Sequence, residues 1–358
     1  MAVVNVNQAL RDAIIAHAIR VRRYGSSLGN GMIGAIDKLA ADLVAILSQD
    51  LKQKELRAKV DAAITKRFAE MGKTFDEETK AFIENEVLFN KKIFDQALPA
   101  AILLKTPTQA ALIKAVGSRP IAESGLIKDL VPRMSQKTAE KVDNIILQMT
   151  ANGATNQQIA QRLRGTKANN YKDGELEVSR RNAMTIARTA TNHISNVTLD
   201  EVIKDNSDIV QDVQWISVLD GRTSATCQAL DKQIFPVDEG PRPPAHPNCR
   251  SVVVPYIKGL DDIQGVRSSE AITLKTKRNL DKLSTAERRA IRSQLSQRVS
   301  EGESYGTWLK KQDPKFVQEV LGKGKSELFL SGKLKIEQFV DSNYQPLSLA
   351  DLKKIYNV

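Results

Sequence analysis

Cys227, His246 and Cys249 are spaced C-x18-H-x2-C inside the segment Trp215–Pro255, which also holds a dense group of prolines. They are the only two cysteines of the chain and one of its three histidines. A thiolate–imidazole–thiolate set suits zinc, whose borderline softness favours sulfur and nitrogen ligands in a tetrahedron. His-x2-Cys lets two ligands of one turn converge, and a neighbouring strand or loop supplies the third. No fourth ligand is evident by type; Asp220, Asp231 or a water would fill it. The alternative is structural: Cys227 packs as a small hydrophobe, and His246 and Cys249 pin the proline-rich loop. Catalytic schemes assemble less well. Neither cysteine opens a helix in a nucleophile turn, and Asp220, Arg222 and Asp231 lie where polar groups anchor a turn. Gly322-Lys-Gly-Lys-Ser lacks the earlier glycine that a P-loop requires.

The elements that must position these residues read as α+β. Before Thr166 the pattern is helical. Leu10, Ile14, Ala18 and Val21 recur at spacings of three and four, as one face of a helix does. Tyr24–Gly31, with three glycines, predicts a break. Met32 to Leu47 and Leu56 to Phe68 resume the period, Gly72 predicts a stop, and Phe75–Leu104 a further helix. Thr138–Thr150 and the capped start at Thr155 predict two more. Ile159–Leu163 passes only weakly for part of a helix-turn-helix, with no base-reading helix after it. Thr166–Gly174 reads as a linker and Glu175–Lys204 as a long helix.

Val210–Leu219 then alternates apolar and polar before a turn at Asp220-Gly221, and Gln233–Val237 and Ser251–Tyr256 are further β-like runs. Trp215 is expected in the core. Lys258–Ser269 reads as a linker, and Ser284-Thr-Ala-Glu287 as the capping box of a helix over Ser284–Arg298. The predicted organisation is a helical region 1–174, a small α+β domain 175–257 with a few short strands, and a mixed, mainly helical extension 258–358.

The chain has 53 Lys+Arg against 42 Asp+Glu, a net charge of +11. Such a balance favours anionic surroundings. Its basic residues are dispersed: residues 258–358 hold 19 Lys+Arg and 13 Asp+Glu, with no block of five or six like charges to make a nucleic-acid tail. Two cysteines in 358 residues exclude a disulfide-stapled scaffold. The N-terminus lacks the order of a signal peptide, and no apolar run reaches the ~18 residues of a membrane span. Folding in a reducing cytoplasm is expected.

Several motifs together resemble a known family. They are Ala187-Arg-Thr-Ala-Thr-Asn192 on a helix, a strand with Trp215, D-G-R-T-S-x-x-C-x-A-L-D (Asp220–Asp231), and HPNCR (His246–Arg250) before a strand. The segments Tyr305–Gln312, Val320–Lys323 and Gln345–Leu352 add to them. The pattern, over roughly residues 180–352, resembles the phage head morphogenesis family, minor head proteins similar to protein F of phage Mu. The resemblance implies a non-enzymatic virion component of a tailed phage, assembled in the host cytoplasm with the portal protein and the scaffold or major capsid protein. It implies a place inside the head near the portal, beside packaged double-stranded DNA met by non-specific electrostatics, and ejection of some members with that DNA. Many relatives read HPNCRC where this chain has Ser251, so one potential ligand is missing. The rival expectation is an enzyme or toxin-like effector, a nuclease or transferase delivered with the genome.

Overall fold

The computed structural model describes residues 5–98, 104–121, 124–258 and 266–358. The fold is α+β: long N-terminal helices and two small three-stranded sheets in the middle and C-terminal parts. Helices α1 (Val6–Leu47) and α2 (Gln53–Ala97) come first, then α3 (Gln109–Ser118), α4 (Leu130–Ala151), α5 (Asn156–Arg164) and α6 (Leu176–Asp205). The capped start expected at Thr155 takes the form of a capping box between Thr155 and Gln158 at the start of α5.

The break expected at Tyr24–Gly31 is absent, because α1 runs straight through it. Two of the three glycines act through their missing side chains. A Cβ on Gly25 would lie 2.4 Å from Thr191 Oγ1 and 3.1 Å from the Arg188 Cα; one on Gly29 would meet Met184 Sδ at 2.7 Å. They let α1 and α6 approach closely, which favours burial across the seam more than the entropy of helical glycine disfavours it. Gly72 likewise fails to stop α2, whose period carries on past it.

Along this seam Ile36, Leu39, Leu43 and Leu47 of α1 pack with Ile64 and Phe68 of α2, Ile146 of α4 and Ala183 and Ala187 of α6. Each large side chain so buried contributes roughly 1.5–3 kcal/mol. The ends of the same long helices enter a second cluster. There Leu10 and Ile14, Ile93 and Phe94, and Val202 and Ile203 meet Val213, Trp215, Cys227, Cys249 and Val253. Helices α1, α2 and α6 thus belong to both cores.

The first sheet contains β1 (Asp212–Ile216), β3 (Ile234–Pro236) and β4 (Val252–Tyr256) in the order β3-β1-β4, all antiparallel, with Trp215 opposite Val253. Trp215 is fully buried, as expected, and its indole N–H donates to Ser217 Oγ at 2.9 Å. The second sheet joins β2 (Leu219–Gly221), β5 (Val266–Thr273) and β6 (Ser296–Ser300), with β5 parallel to β2 and antiparallel to β6. Helix α7 (Ala225–Leu230) follows β2.

Residues 259–265 of the expected linker lie outside the described residues, and Val266–Thr273 is strand rather than linker. Its buried positions include Arg267 and Ser269, so the polar residues face inward and the apolar alternation is missing. Between β5 and β6 lie α8 (Leu274–Leu280) and α9 (Thr285–Leu295), the latter opened by the expected Ser284–Glu287 box. The C-terminal α10 (Tyr305–Lys310), α11 (Pro314–Leu321), α12 (Lys323–Leu330) and α13 (Leu349–Tyr356) enclose a third core around Trp308, Leu309, Val317 and Phe339.

Candidate functional site

Cys227 sits in the first turn of α7, where its backbone N–H donates to the N-capping Ser224 Oγ at 3.3 Å. His246 and Cys249 come from the proline-rich loop that leads into β4. The Cys249 N–H donates to the His246 carbonyl at 3.1 Å, so His-x2-Cys is one closed turn. Asn248 takes a left-handed φ of 59° there, a conformation asparagine tolerates better than most residues. Helix α6 holds the loop from below. Asn192 Nδ2 donates to the Cys249 carbonyl at 3.1 Å and to the Ser251 carbonyl at 3.4 Å, and the Asn248 N–H donates to Thr189 Oγ1 at 2.9 Å.

This places the two buried sulfurs 3.8 Å apart and Cys227 Sγ 3.4 Å from His246 Nε2. All three ligand atoms lie within 4.8 Å of one another, a possible metal site. Tetrahedral zinc with ordinary bond lengths has S···S edges of about 3.8 Å and S···N edges of about 3.5 Å. Two of the three separations, Cys227–Cys249 and Cys227–His246, match those edges. His246 Nδ1–H donates to the Pro247 carbonyl at 2.9 Å, which leaves the Nε2 lone pair aimed at the sulfurs. Hydrogen bonding and charge between His246 and Cys249 raise the imidazole pKa. The Cys249 thiol is held well below its ordinary value, first by the hydrogen bond from Cys227 and then by His246, while Cys227 goes up.

Asp220, expected as a fourth ligand, is turned away from the thiols. Its buried carboxylate accepts two hydrogen bonds from Arg250, at 2.5 and 2.6 Å, one from Arg222 Nε at 2.8 Å and one from the Arg222 N–H at 3.0 Å. Burial pushes its pKa up, but Arg250 and Arg222 outweigh burial and the net direction is down. The two arginines thus hold the turn Asp220-Gly221 shut. Asp231, the other acid considered, accepts from the Ser217 and Tyr305 N–H groups, each at 2.8 Å, and pairs with Arg267 at 2.9 Å. The residue beside the thiols is Ser251, whose hydroxyl favours the ionised form of Cys227 and lies 3.1 Å from Ser217 Oγ.

Sequence reasoning did not single out Arg250, Asn192, Arg267 or Tyr305. Arg250, Asn192 and Tyr305 all lie inside the family-like motifs, so their place there was a usable signal. Arg267 had none, because it reaches the site from 36 residues beyond Asp231. Two further bonds tie the regions together: Arg11 of α1 and Lys232 both pair with buried Glu301.

The site therefore defines an α+β module whose loop is fastened by two thiols, an imidazole and buried ion pairs. Residues 140–254 match the family described as Phage Mu protein F like protein, a span that includes α6, the first sheet and all three candidate ligands. The match covers 115 of the 358 residues, and over that span it supports a likeness to the phage Mu protein F-like head morphogenesis family. No curated protein and no solved structure matches it. Among the described residues no helix is long and apolar enough to cross a membrane.

Proposed function

We propose that the protein is a minor head component of a tailed phage, a non-enzymatic module built into the virion interior near the portal during head assembly. The observation that carries this reading is the family match over 140–254, which coincides with the part of the chain where the loop is fastened to α6. The proposed partners are the portal protein and the scaffold or major capsid protein, with packaged double-stranded DNA as the anionic neighbour and ejection with that DNA as the proposed fate. The three regions 1–174, 175–257 and 258–358 are proposed as a division of labour: partner docking, the family module and an outer extension. Their cores are shared, since α1 contributes Leu10 and Ile14 to the cluster around Trp215.

In this reading Cys227, His246 and Cys249 hold one zinc with a structural role. The metal would supply cross-linking between α7 and the loop, where the apolar core ends. The two sulfur–ligand separations and the Nδ1 hydrogen bond of His246 support it. Deleting the gene from the encoding phage, then analysing purified heads by mass spectrometry, tests the function. Wild-type heads should contain the protein and deletion particles should be defective in assembly or infectivity; heads that never contain it would end the proposal. Elemental analysis should find about one zinc per chain, and full thermal stability of a metal-free sample in chelator would remove the metal.

A further inference from the structure

Residues 274–300, which include α8 and α9, carry strongly one-sided charge. They carry eight Lys+Arg and two Asp+Glu. Seven of the eight make no ion pair among the described residues, and Arg292 meets Glu270 only at 3.9 Å. Helix α9 buries none of its side chains. Arg288, Arg292 and Arg289 fall within about 100° of its circumference, given 3.6 residues per turn. Apolar packing does not account for so exposed a helix, and no described acid neutralises it.

A second group of cations gathers at α8, the helix that precedes α9. A cleft of about 650 Å³ at the foot of α8 is lined by Arg222, Lys275, Arg278 and Lys325, with Glu319 as its acid. That carboxylate already accepts from Thr273 Oγ1 at 3.0 Å. Beyond the cleft, Arg188 Nε donates to Ser26 Oγ at 3.2 Å, and Ser26 donates to the Arg22 carbonyl at 2.9 Å, so two more arginines share the α1–α6 seam. Neither has an acidic partner among the described residues. Arg22 is exposed, yet the protein around its head group and the nearby Arg250, Arg222 and Arg188 lower its pKa to about 10. Asp220 offsets Arg222 and Arg250, but nothing comparable offsets the rest.

We infer that the α9 arm and the cleft at α8 form one binding surface for the phosphate backbone of duplex DNA. Guanidinium groups match phosphate oxygens in their planar fork, and unpaired cations release counterions when they meet a polyanion. Residues 274–300 contain no aromatic side chain, and the aromatic that lines the cleft, Phe339, is buried rather than offered as a stacking face. Single-strand binders stack bases on such rings, so the surface reads backbone rather than bases. The identity of this DNA as the packaged genome rests on the head-protein reading; the surface itself does not.

The test uses the full chain and a random-sequence duplex of about 25 base pairs, titrated by fluorescence anisotropy across a salt series. Replacing Arg288, Arg289 and Arg292 together by Gln should weaken binding at least tenfold at about 0.1 M salt and flatten the salt slope by about 2.7, roughly 0.9 per lost contact. Lys275→Gln with Arg278→Gln should do the same in proportion, while circular dichroism stays unchanged. An equal change of charge elsewhere, at exposed Lys333, Lys353 and Lys354, should leave the slope near that of wild type. Equal losses from the control set, or no loss from the arm, overturn the assignment. So does tighter binding of polyglutamate than of duplex, which would make the surface a dock for acidic protein. Incorporation of the arm variant into heads is scored separately. Heads that contain it keep the head-protein reading even if DNA binding fails.

Discussion

The helical seam and the fastened loop hold together by opposite means. Along α1, α2, α4 and α6 the contacts are apolar and repeat turn after turn, so a residue such as Leu43 shares its role with Leu39, Leu47 and Ile64. Around Asp220 and Asp231 the contacts are few, buried and charged, and each group has named partners that lose their compensation if it is removed. The difference teaches where conservative substitution is tolerated. Shape can be approximated in the seam, whereas charge cannot be approximated at the turn.

Asp220→Asn breaks the comparison most directly. It leaves Arg250 and Arg222 facing each other without a counter-charge, and such a loss costs about 3–5 kcal/mol. Leu43→Met in the seam should cost less than about 1.5 kcal/mol. Urea unfolding of both variants reads the two values, and equal costs would erase the distinction. The sign of the pH effect follows from the depressed pKa of Asp220. Its ionised form adds stability above the unfolded value of about 3.9, and this is lost as pH falls through the lower folded value. The gap between wild type and Asp220→Asn should therefore narrow below about pH 4, seen in melting curves from pH 7 to pH 3. A gap that widened on acidification would contradict the pairing.

The glycines sharpen the seam side of the contrast. Gly25→Ala places a Cβ 2.4 Å from Thr191 Oγ1 and should cost about 1–3 kcal/mol by forcing α1 and α6 apart. Ser251→Cys sharpens the other side, since the new sulfur would lie beside Cys227 and supply a fourth ligand. Competition against a chromogenic chelator should show zinc held about tenfold or more tightly, worth about 1.4 kcal/mol. Unchanged affinity would mean that residue 251 does not face the metal. The smallest effect is Gly31→Ala. Nothing lies within 4 Å of a Cβ there, so the exposed helix should gain about 0.5–1 kcal/mol in thermal unfolding.

The spacing of Cys227, His246 and Cys249 was enough to nominate a site, because few other side chains in the chain can bind a soft metal. The β-like runs and both capping boxes were legible for similar local reasons. Strand β5 was not, since Arg267 faces inward to meet Asp231 and inverts the expected alternation. Nor was the continuity of α1, because a glycine that breaks a helix and one that admits a neighbour look alike until the neighbour is seen.

The amino-acid sequence by itself determined the α+β class, the buried tryptophan, the candidate thiols and imidazole, and the net positive charge. These are consequences of residue type and short-range period, which act within a few residues along the chain. The tertiary structure alone decided that Asp220 turns to two arginines rather than to the sulfurs, that Asp231 turns to Arg267, and that Arg222 and Lys325 share one cleft with the cations of α8. Those outcomes depend on which distant groups share a dry or crowded space, where charge pairing and packing outweigh any local preference.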